Sequence, residues 1–205
     1  MKMVFLDVDD TLYRKGTGPF PLVNKKIDNY VMSWCRVDLE RARRLREEYI
    51  HTYGSTLGGL MKHHGVDPEE YLKDVHDVPV EDLLGPDEKL RDTLMKISYE
   101  LIVFSNGSAE YVNRVLAALG ISDLFSDRFT IEYMDFIPKP MPYPYLKIME
   151  LYGMTPDRCV VVDDRLPNVH TAIDMGMEAV LVGKGPAVPR ASGINDIYEI
   201  SRVLS

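Results

Sequence analysis

Apolar runs and amphipathic stretches alternate along most of the chain, and one block near the start breaks the rhythm. Met3 to Leu6 is apolar and rich in strand formers, and it ends at the polar string Asp7-Val8-Asp9-Asp10-Thr11. Gly16 to Pro21 holds two glycines and two prolines and predicts a turn. From Val23 to Leu84 the period becomes helical. Leu39, Ala42, Leu45 and Tyr49 fall at helix spacing with Arg and Glu between them. Asp38 predicts an N-cap, Gly54 a stop, and Asp67-Pro68-Glu69-Glu70 a helix start with Pro in its first turn. No stretch of this block predicts a strand, and Gly85-Pro86 closes it.

Beyond Pro86, strand and helix patterns alternate. Strands are predicted at 100–104, 128–131, 159–162 and 178–182. Helices are predicted at 109–119, 144–152 and 167–175, each followed by Gly120, Gly153 or Gly176. Fully apolar strands between helices imply a mostly parallel sheet covered on both faces. The expected fold is α/β and doubly wound, with a small helical unit inserted after the first strand. Residues 1–20 and 86–205 would form the core and 21–85 the insertion. In such folds ligands sit beyond the carboxyl ends of the strands.

Composition narrows the function. With 205 residues the chain can bury a full core without disulfide or metal staples. The formal net charge of -8 disfavours nucleic-acid polymers and anionic membranes. No apolar run approaches the roughly 18 residues of a membrane span, and the apolar start is too short for a signal-peptide core, so a cytoplasmic location is expected. Cys35 and Cys159 stand far apart and fit a reducing compartment. There is no G-x-G-x-x-G and no G-x-x-x-x-G-K-[ST], which counts against dinucleotide oxidoreductases and P-loop kinases.

Four strand or loop ends carry candidate chemistry. Asp7 and Asp9 alternate, so an extended chain can aim both carboxylates at one point. Ser105, in Phe104-Ser105-Asn106-Gly107-Ser108, offers a hydroxyl beside free backbone N–H groups at a helix start. Lys139 lies between two prolines on a stiff segment. Asp163-Asp164 follows the apolar Val160-Val161-Val162, where paired acids need hydrogen bonds or a cation. Oxygen donors without a His or Cys cluster favour magnesium over zinc. The arginines at 36, 41, 43, 44 and 46 read as a solvated, salt-bridged helix face. His63 and His64 read as part of the insertion's surface or packing, and Tyr30 and Trp34 as part of its core.

Asp/Asp, Ser, Lys and Asp/Asp in this order resemble the four motifs of the haloacid dehalogenase-like (HAD) superfamily of phosphohydrolases. The resemblance covers essentially the whole chain, and the helical block looks like that family's inserted cap on a Rossmann-type core. The opening Phe5-Leu6-Asp7-Val8-Asp9-Asp10-Thr11-Leu12-Tyr13 is similar to the pyrimidine 5'-nucleotidase branch. So are the stretches 53–60, 63–71 and 75–79 of the insertion.

The resemblance implies a phosphomonoesterase with an aspartyl-phosphate intermediate. Asp7 would be the nucleophile and Asp9 the acid and base. Mg2+ would be held by Asp7, the Asp9 carbonyl and Asp164, with Asp163 supporting the metal shell. Ser105, Asn106 and Lys139 would hold the phosphoryl oxygens. Tyr53 in the cap would read the leaving group, and the cap would hinge near 16–21 and 85–86. Asn168 departs from the acid that many relatives carry there. The expected substrate is a small phosphorylated metabolite, with a pyrimidine nucleoside 5'-monophosphate favoured over a sugar phosphate or phosphoglycolate, acted on by a monomer or homodimer. A binding domain built on a phosphatase scaffold is the rival of another class. The complete acid, hydroxyl and lysine set argues against it.

Overall fold

Val4 and Leu6 point to one side of the first strand and Met3 and Phe5 to the other, and all four are buried. Burial on both faces is the requirement for a central strand of a covered parallel sheet. In the computed structural model, which describes residues 2–204, this strand is β1 (Met3–Leu6). Helices α1 (Phe20–Cys35), α2 (Leu39–Tyr53), α3 (Thr56–His64), α4 (Pro68–Val75), α5 (Val80–Leu83) and α6 (Glu88–Leu94) follow. The chain continues through β2 (Glu100–Phe104), α7 (Ala109–Ala118), β3 (Asp127–Phe129), α8 (Pro142–Tyr152), β4 (Cys159–Asp163), α9 (Leu166–Asp174), β5 (Glu178–Val182) and β6 (Ala191–Ile194).

The sheet is parallel throughout, in the order β3-β2-β1-β4-β5-β6. Strand direction of growth reverses at β1, which lies between β2 and β4, and the crevice beyond their carboxyl ends is the switch point of the fold. One face of the sheet, with Val4, Leu6, Val103 and Val162, packs on Leu90 of α6 and Val112 and Leu116 of α7. The opposite face, with Phe5, Phe104 and Val161, packs on Tyr145 and Ile148 of α8 and Ala172 of α9. Each fully buried Val, Leu or Phe contributes roughly 1.5–3 kcal/mol of transfer free energy. No helix among the described residues is long and apolar enough to cross a membrane.

The helical block forms as its caps predict. Asp38 accepts from the Arg41 N–H at the start of α2, Ser55 from Gly58 N–H at α3, and Asp67 from Glu69 and Glu70 N–H at α4. Within it α1 packs on α2 and α4, and α2 on α3. The last short helix, α5, instead packs on α7, and Val78 and Val80 belong to the core cluster under the sheet.

Four details differ from the sequence expectation. Strand β3 ends at Phe129, because the Ile131 N–H turns away to the Gly107 carbonyl at 3.2 Å. The edge strand β6 carries Ser192 and Gly193 in place of an apolar run and gave no strand signal. Helix α6 also went unanticipated in the short stretch after Pro86. Trp34 stacks on Tyr30 at 5.6 Å but is 47% exposed, so it covers the helical block from outside and does not fill its core.

Candidate active site

Each of the four predicted strand ends arrives at one crevice. Asp7 directly follows β1, and its N–H joins the β4 carbonyl of Val162 at 3.0 Å. The chain then bends: Thr11 and Leu12 N–H both return to the Val8 carbonyl, and Asp10 takes a left-handed φ of 58°. Asp is among the few non-glycine residues that tolerate this region, and the Asp10 carboxylate accepts from Gly16 N–H at 3.1 Å. That bend presents Asp7 and Asp9 to a cavity of about 430 Å³ which both residues line.

Lys139 is the centre of the site. Its ammonium is 1% exposed and donates to Asp7 Oδ1 at 2.9 Å, Asp163 Oδ2 at 2.7 Å and the Phe104 carbonyl at 2.5 Å. All three donors of the ammonium are therefore used. Desolvation alone would lower its pKa, but Asp163 and Asp7 outweigh that and raise it, so it stays charged. Asn106 fixes the backbone of this lysine: its amide donates to the Lys139 carbonyl and accepts from the Lys139 N–H, both at 2.9 Å. The Asn106 side chain thus places Lys139 with its oxygen and one amide proton, and its second amide proton and its backbone N–H remain for an anion in the cavity it lines. Ser105 Oγ accepts from Gly107 N–H at 3.0 Å, which leaves its own proton free to donate toward the cavity it lines.

The two acids of the first loop sit in different environments. Asp7 has Lys139 on one oxygen and the Thr11 hydroxyl on the other at 3.0 Å. Burial pushes its pKa up while Lys139 pulls it down. Asp9 receives two phenols on the same oxygen, Tyr111 at 2.6 Å and Tyr13 still closer. Among the described residues, none donates to its second oxygen. Burial raises the Asp9 pKa to about 6 against the opposing pull of Tyr111 and Tyr13.

Asp163 is fully buried, and Lys139, Arg165 N–H and the Asn168 amide all donate to it. Asp164 faces Lys15 at 2.8 Å, and burial raises its pKa against that lysine. One oxygen each from Asp7, Asp163 and Asp164 lies within 4.8 Å of the others. An all-oxygen donor set of this kind suits a hard divalent cation. The buried Asn168 Oδ1, which has no partner, adds a neutral acceptor beside it. The residues present therefore fit a Mg2+ site.

Two sequence-predicted residues do not line the cavity: Asp163, which is buried beneath it against Lys139, and Tyr53. The Tyr53 hydroxyl pairs with His63 Nε2 at 2.7 Å on the exposed side of the block. The lining comes from its neighbours, Gly54 to Leu57. Gly54 ends α2 at φ 79°, and a Cβ there would meet Pro138 at 3.0 Å, so the glycine lets the block settle on the Lys139 loop.

Several site residues were missed in the sequence. Tyr13 and Tyr111 hold Asp9, and Arg46 belongs to the cavity rather than to the solvated arginine face. On that face Arg44 pairs with Glu40 at 2.6 Å; Arg43 reaches Asp28 while staying exposed, and Arg46 turns inward to the same Asp28.

Comparison with known proteins agrees with this geometry. A family model described as haloacid dehalogenase-like hydrolase matches residues 1–176. The chain is 32% identical over 196 residues to phosphate metabolism protein 8 of Saccharomyces cerevisiae, covering 88% of this chain and 61% of that protein. The chain thus spans about three fifths of that relative's length. It is 28% identical to glyceraldehyde 3-phosphate phosphatase of Methanopyrus kandleri, covering 90% and 85% of the two chains. Among solved structures, the HAD phosphatase from Thermococcus onnurineus superposes with a TM-score of 0.64 at 24% identity, over 100% of this chain and 98% of that one.

Proposed function

The chain belongs to the haloacid dehalogenase-like hydrolase family, and from that premise we propose that it is a Mg2+-dependent phosphomonoesterase that works through an aspartyl-phosphate on Asp7. The observation that carries this reading is the unequal treatment of the two acids. Asp7 is held by a buried ammonium and a hydroxyl, as a nucleophile must be aimed. Asp9 is gripped on one oxygen only and sits near pKa 6, as suits a group that gives and then takes a proton near neutral pH.

In the first step an Asp7 oxygen bonds to phosphorus while the ester P–O bond breaks. Asp9 delivers its proton to the leaving oxygen, and the alcohol departs. In the second step Asp9, now a carboxylate, removes a proton from water. That water bonds to phosphorus, the bond to Asp7 breaks, and inorganic phosphate leaves. Mg2+, when bound by Asp7, the Asp9 carbonyl and Asp164, supplies the charge that lets a carboxylate approach an anionic phosphate. Ser105 and the backbone N–H groups after it donate to the phosphoryl oxygens. Lys139 contributes its charge from beneath Asp7. Asp163 orients that lysine, with its oxygens already accepting from three donors, Lys139, the Arg165 N–H and the Asn168 amide.

The helical block then acts as a cap that excludes water, and the leaving group lies against it. A cavity of about 430 Å³ with Phe20, Ile27, Ile50 and Leu72 on its wall suits a leaving group with an apolar face. A pyrimidine nucleoside 5'-monophosphate meets that description. A second reading, a triose phosphate or other small sugar phosphate, draws support from the printed name of the Methanopyrus relative.

The test is phosphate release from UMP, CMP, AMP, GMP, glyceraldehyde 3-phosphate and phosphoglycolate with Mg2+, beside Asp7→Asn. A preference for UMP and CMP that vanishes in the variant supports the nucleotide. Preference for the triose ester keeps the chemistry and replaces the substrate. Release by Asp7→Asn at the parent rate refutes the mechanism.

A further inference from the structure

Among the described residues, the buried side-chain polar atoms without a hydrogen-bond partner are Arg46 Nε, His76 Nδ1 and Asn168 Oδ1. All three residues line the same cavity. A buried donor or acceptor left unpaired is costly, and native structures carry few of them. Asn168 lies on the metal side of the site. Arg46 and His76 line the cavity from the helical block.

Among the described residues, Arg46 is the only formally charged one that lines the cavity from that block. Its guanidinium is nearly enclosed, with side-chain exposure of 13%. It donates to Asp28, to the Asn24 carbonyl at 3.1 Å and to Asn24 Oδ1 at 2.7 Å, all through its terminal nitrogens. Asp28 is itself buried, so the pair is close to neutral as a unit. Arg43 also reaches Asp28, at 3.3 Å, but its side chain is 63% exposed and its charge is screened by water. His76 stacks on Tyr111 at 4.5 Å and 10°, directly behind the phenol that holds Asp9. Burial lowers its pKa to about 4, so the ring is neutral at working pH. The block's part of the wall thus holds one N–H donor and one imidazole nitrogen, enclosed and unpaired among the described residues, beside a guanidinium that Asp28 balances.

We propose that Arg46 and His76 read the leaving group, and that Asp28, by balancing Arg46, restricts it to uncharged groups carrying a hydrogen-bond acceptor. The inference rests on the phosphatase reading above. It selects a nucleoside over a leaving group with its own carboxylate or second phosphate, which would meet on the block's wall only an arginine already balanced by Asp28; Lys15 and Arg165 line the cavity from the core. Arg46 and His76 act here as specificity residues, remote from the bonds that form and break.

Binding separates this claim from turnover. Calorimetry in the Asp7→Asn background with Mg2+ would measure UMP, whose uridine is neutral and rich in acceptors, against phosphoglycolate. Three further variants are Arg46→Lys, which keeps the charge but loses Nε; His76→Phe, which keeps the ring stack; and Asp28→Asn. The expected result is UMP bound at least about tenfold more tightly than phosphoglycolate, with Arg46→Lys and His76→Phe each weakening UMP by about tenfold, one hydrogen bond's worth. Asp28→Asn should narrow the gap between the ligands by a similar factor.

Equal affinity for the two ligands, or UMP binding indifferent to both Arg46→Lys and His76→Phe, overturns the proposal. So does an unchanged gap in Asp28→Asn. If circular dichroism shows that Asp28→Asn does not fold, the other two variants decide. The expected binding pattern without turnover by the Asp7-intact enzyme removes the phosphatase reading and leaves Arg46 and His76 as readers of a bound nucleotide only. Turnover with a flat binding pattern does the reverse.

Discussion

Replacing Lys139 by Met removes an ammonium but keeps most of the volume of its stem. The structure sets the size of the loss. Three bonds disappear, to Asp7, Asp163 and the Phe104 carbonyl. At about 1.5–3 kcal/mol for each bond to a charged group, they bound the cost at about 5–9 kcal/mol. Asp7 keeps Thr11, and Asp163 keeps Asn168 and the Arg165 N–H, so part of that is retained. The expected value falls in the range of about 3–5 kcal/mol found when one partner of a buried ion pair is deleted. For a chain of this size that lowers Tm by about 6–20 °C.

The assay is chemical denaturation of both proteins with chelator present, at pH 8 and pH 5. The sign of the pH effect follows from linkage. Without its cation, Asp7 has a folded pKa above the unfolded value of about 3.9, because burial already raises it against the pull of Lys139. The folded variant therefore binds more protons than the unfolded one, and its stability falls as pH rises through those values. The wild-type ammonium keeps its raised pKa and stays charged at both pH values. The deficit should be full at pH 8 and smaller at pH 5. A loss under about 1 kcal/mol at pH 8 would refute the idea that Lys139 is the cation on which the two acids depend. A deficit larger at pH 5 than at pH 8 would refute the electrostatic reasoning.

Two further outcomes follow from the same geometry. Tyr111→Phe removes a donor that favours the Asp9 carboxylate, so the Asp9 pKa should climb from about 6. The alkaline limb of the kcat/KM profile, which requires protonated Asp9, should move up by about one unit, and a limb that stays put or moves to lower pH contradicts the assignment. Away from the site, Asp87 caps α6 through Leu90 N–H at 2.8 Å and accepts from the Tyr198 hydroxyl at 2.6 Å. Asp87→Ala should cost about 1–2 kcal/mol in denaturation experiments while kcat/KM remains at the parent value.

Much of the site was legible because its parts are local. Asp7, Ser105, Lys139 and Asp163-Asp164 each stand at the end of an apolar run or between prolines, and a parallel sheet brings such ends together without further information. The parts that escaped are those whose meaning is set by distant partners. Asp9 and Tyr111 are 102 residues apart, and nothing near Tyr111 marks it as anything but helix core. Arg46 stands in a run of Arg and Glu that reads as a wet surface, and only the position of Asp28 on α1 turns it inward. Tyr53 was close in sequence to the true lining, yet α2 ends at Gly54 with the tyrosine directed to His63. Asn106 lines the cavity as its place at a helix start implies, but its second job, clamping the Lys139 backbone 33 residues away, has no local signal.

The central claim is that Asp7 becomes phosphorylated. The most direct measurement is rapid acid quench of the enzyme turning over its best panel substrate with Mg2+, followed by peptide mass spectrometry. The account predicts a phosphoryl group on the peptide containing Asp7, formed and consumed at rates that support turnover and absent in Asp7→Asn. Turnover with no phosphopeptide at any quench time, or with the phosphoryl group on another residue, would contradict it.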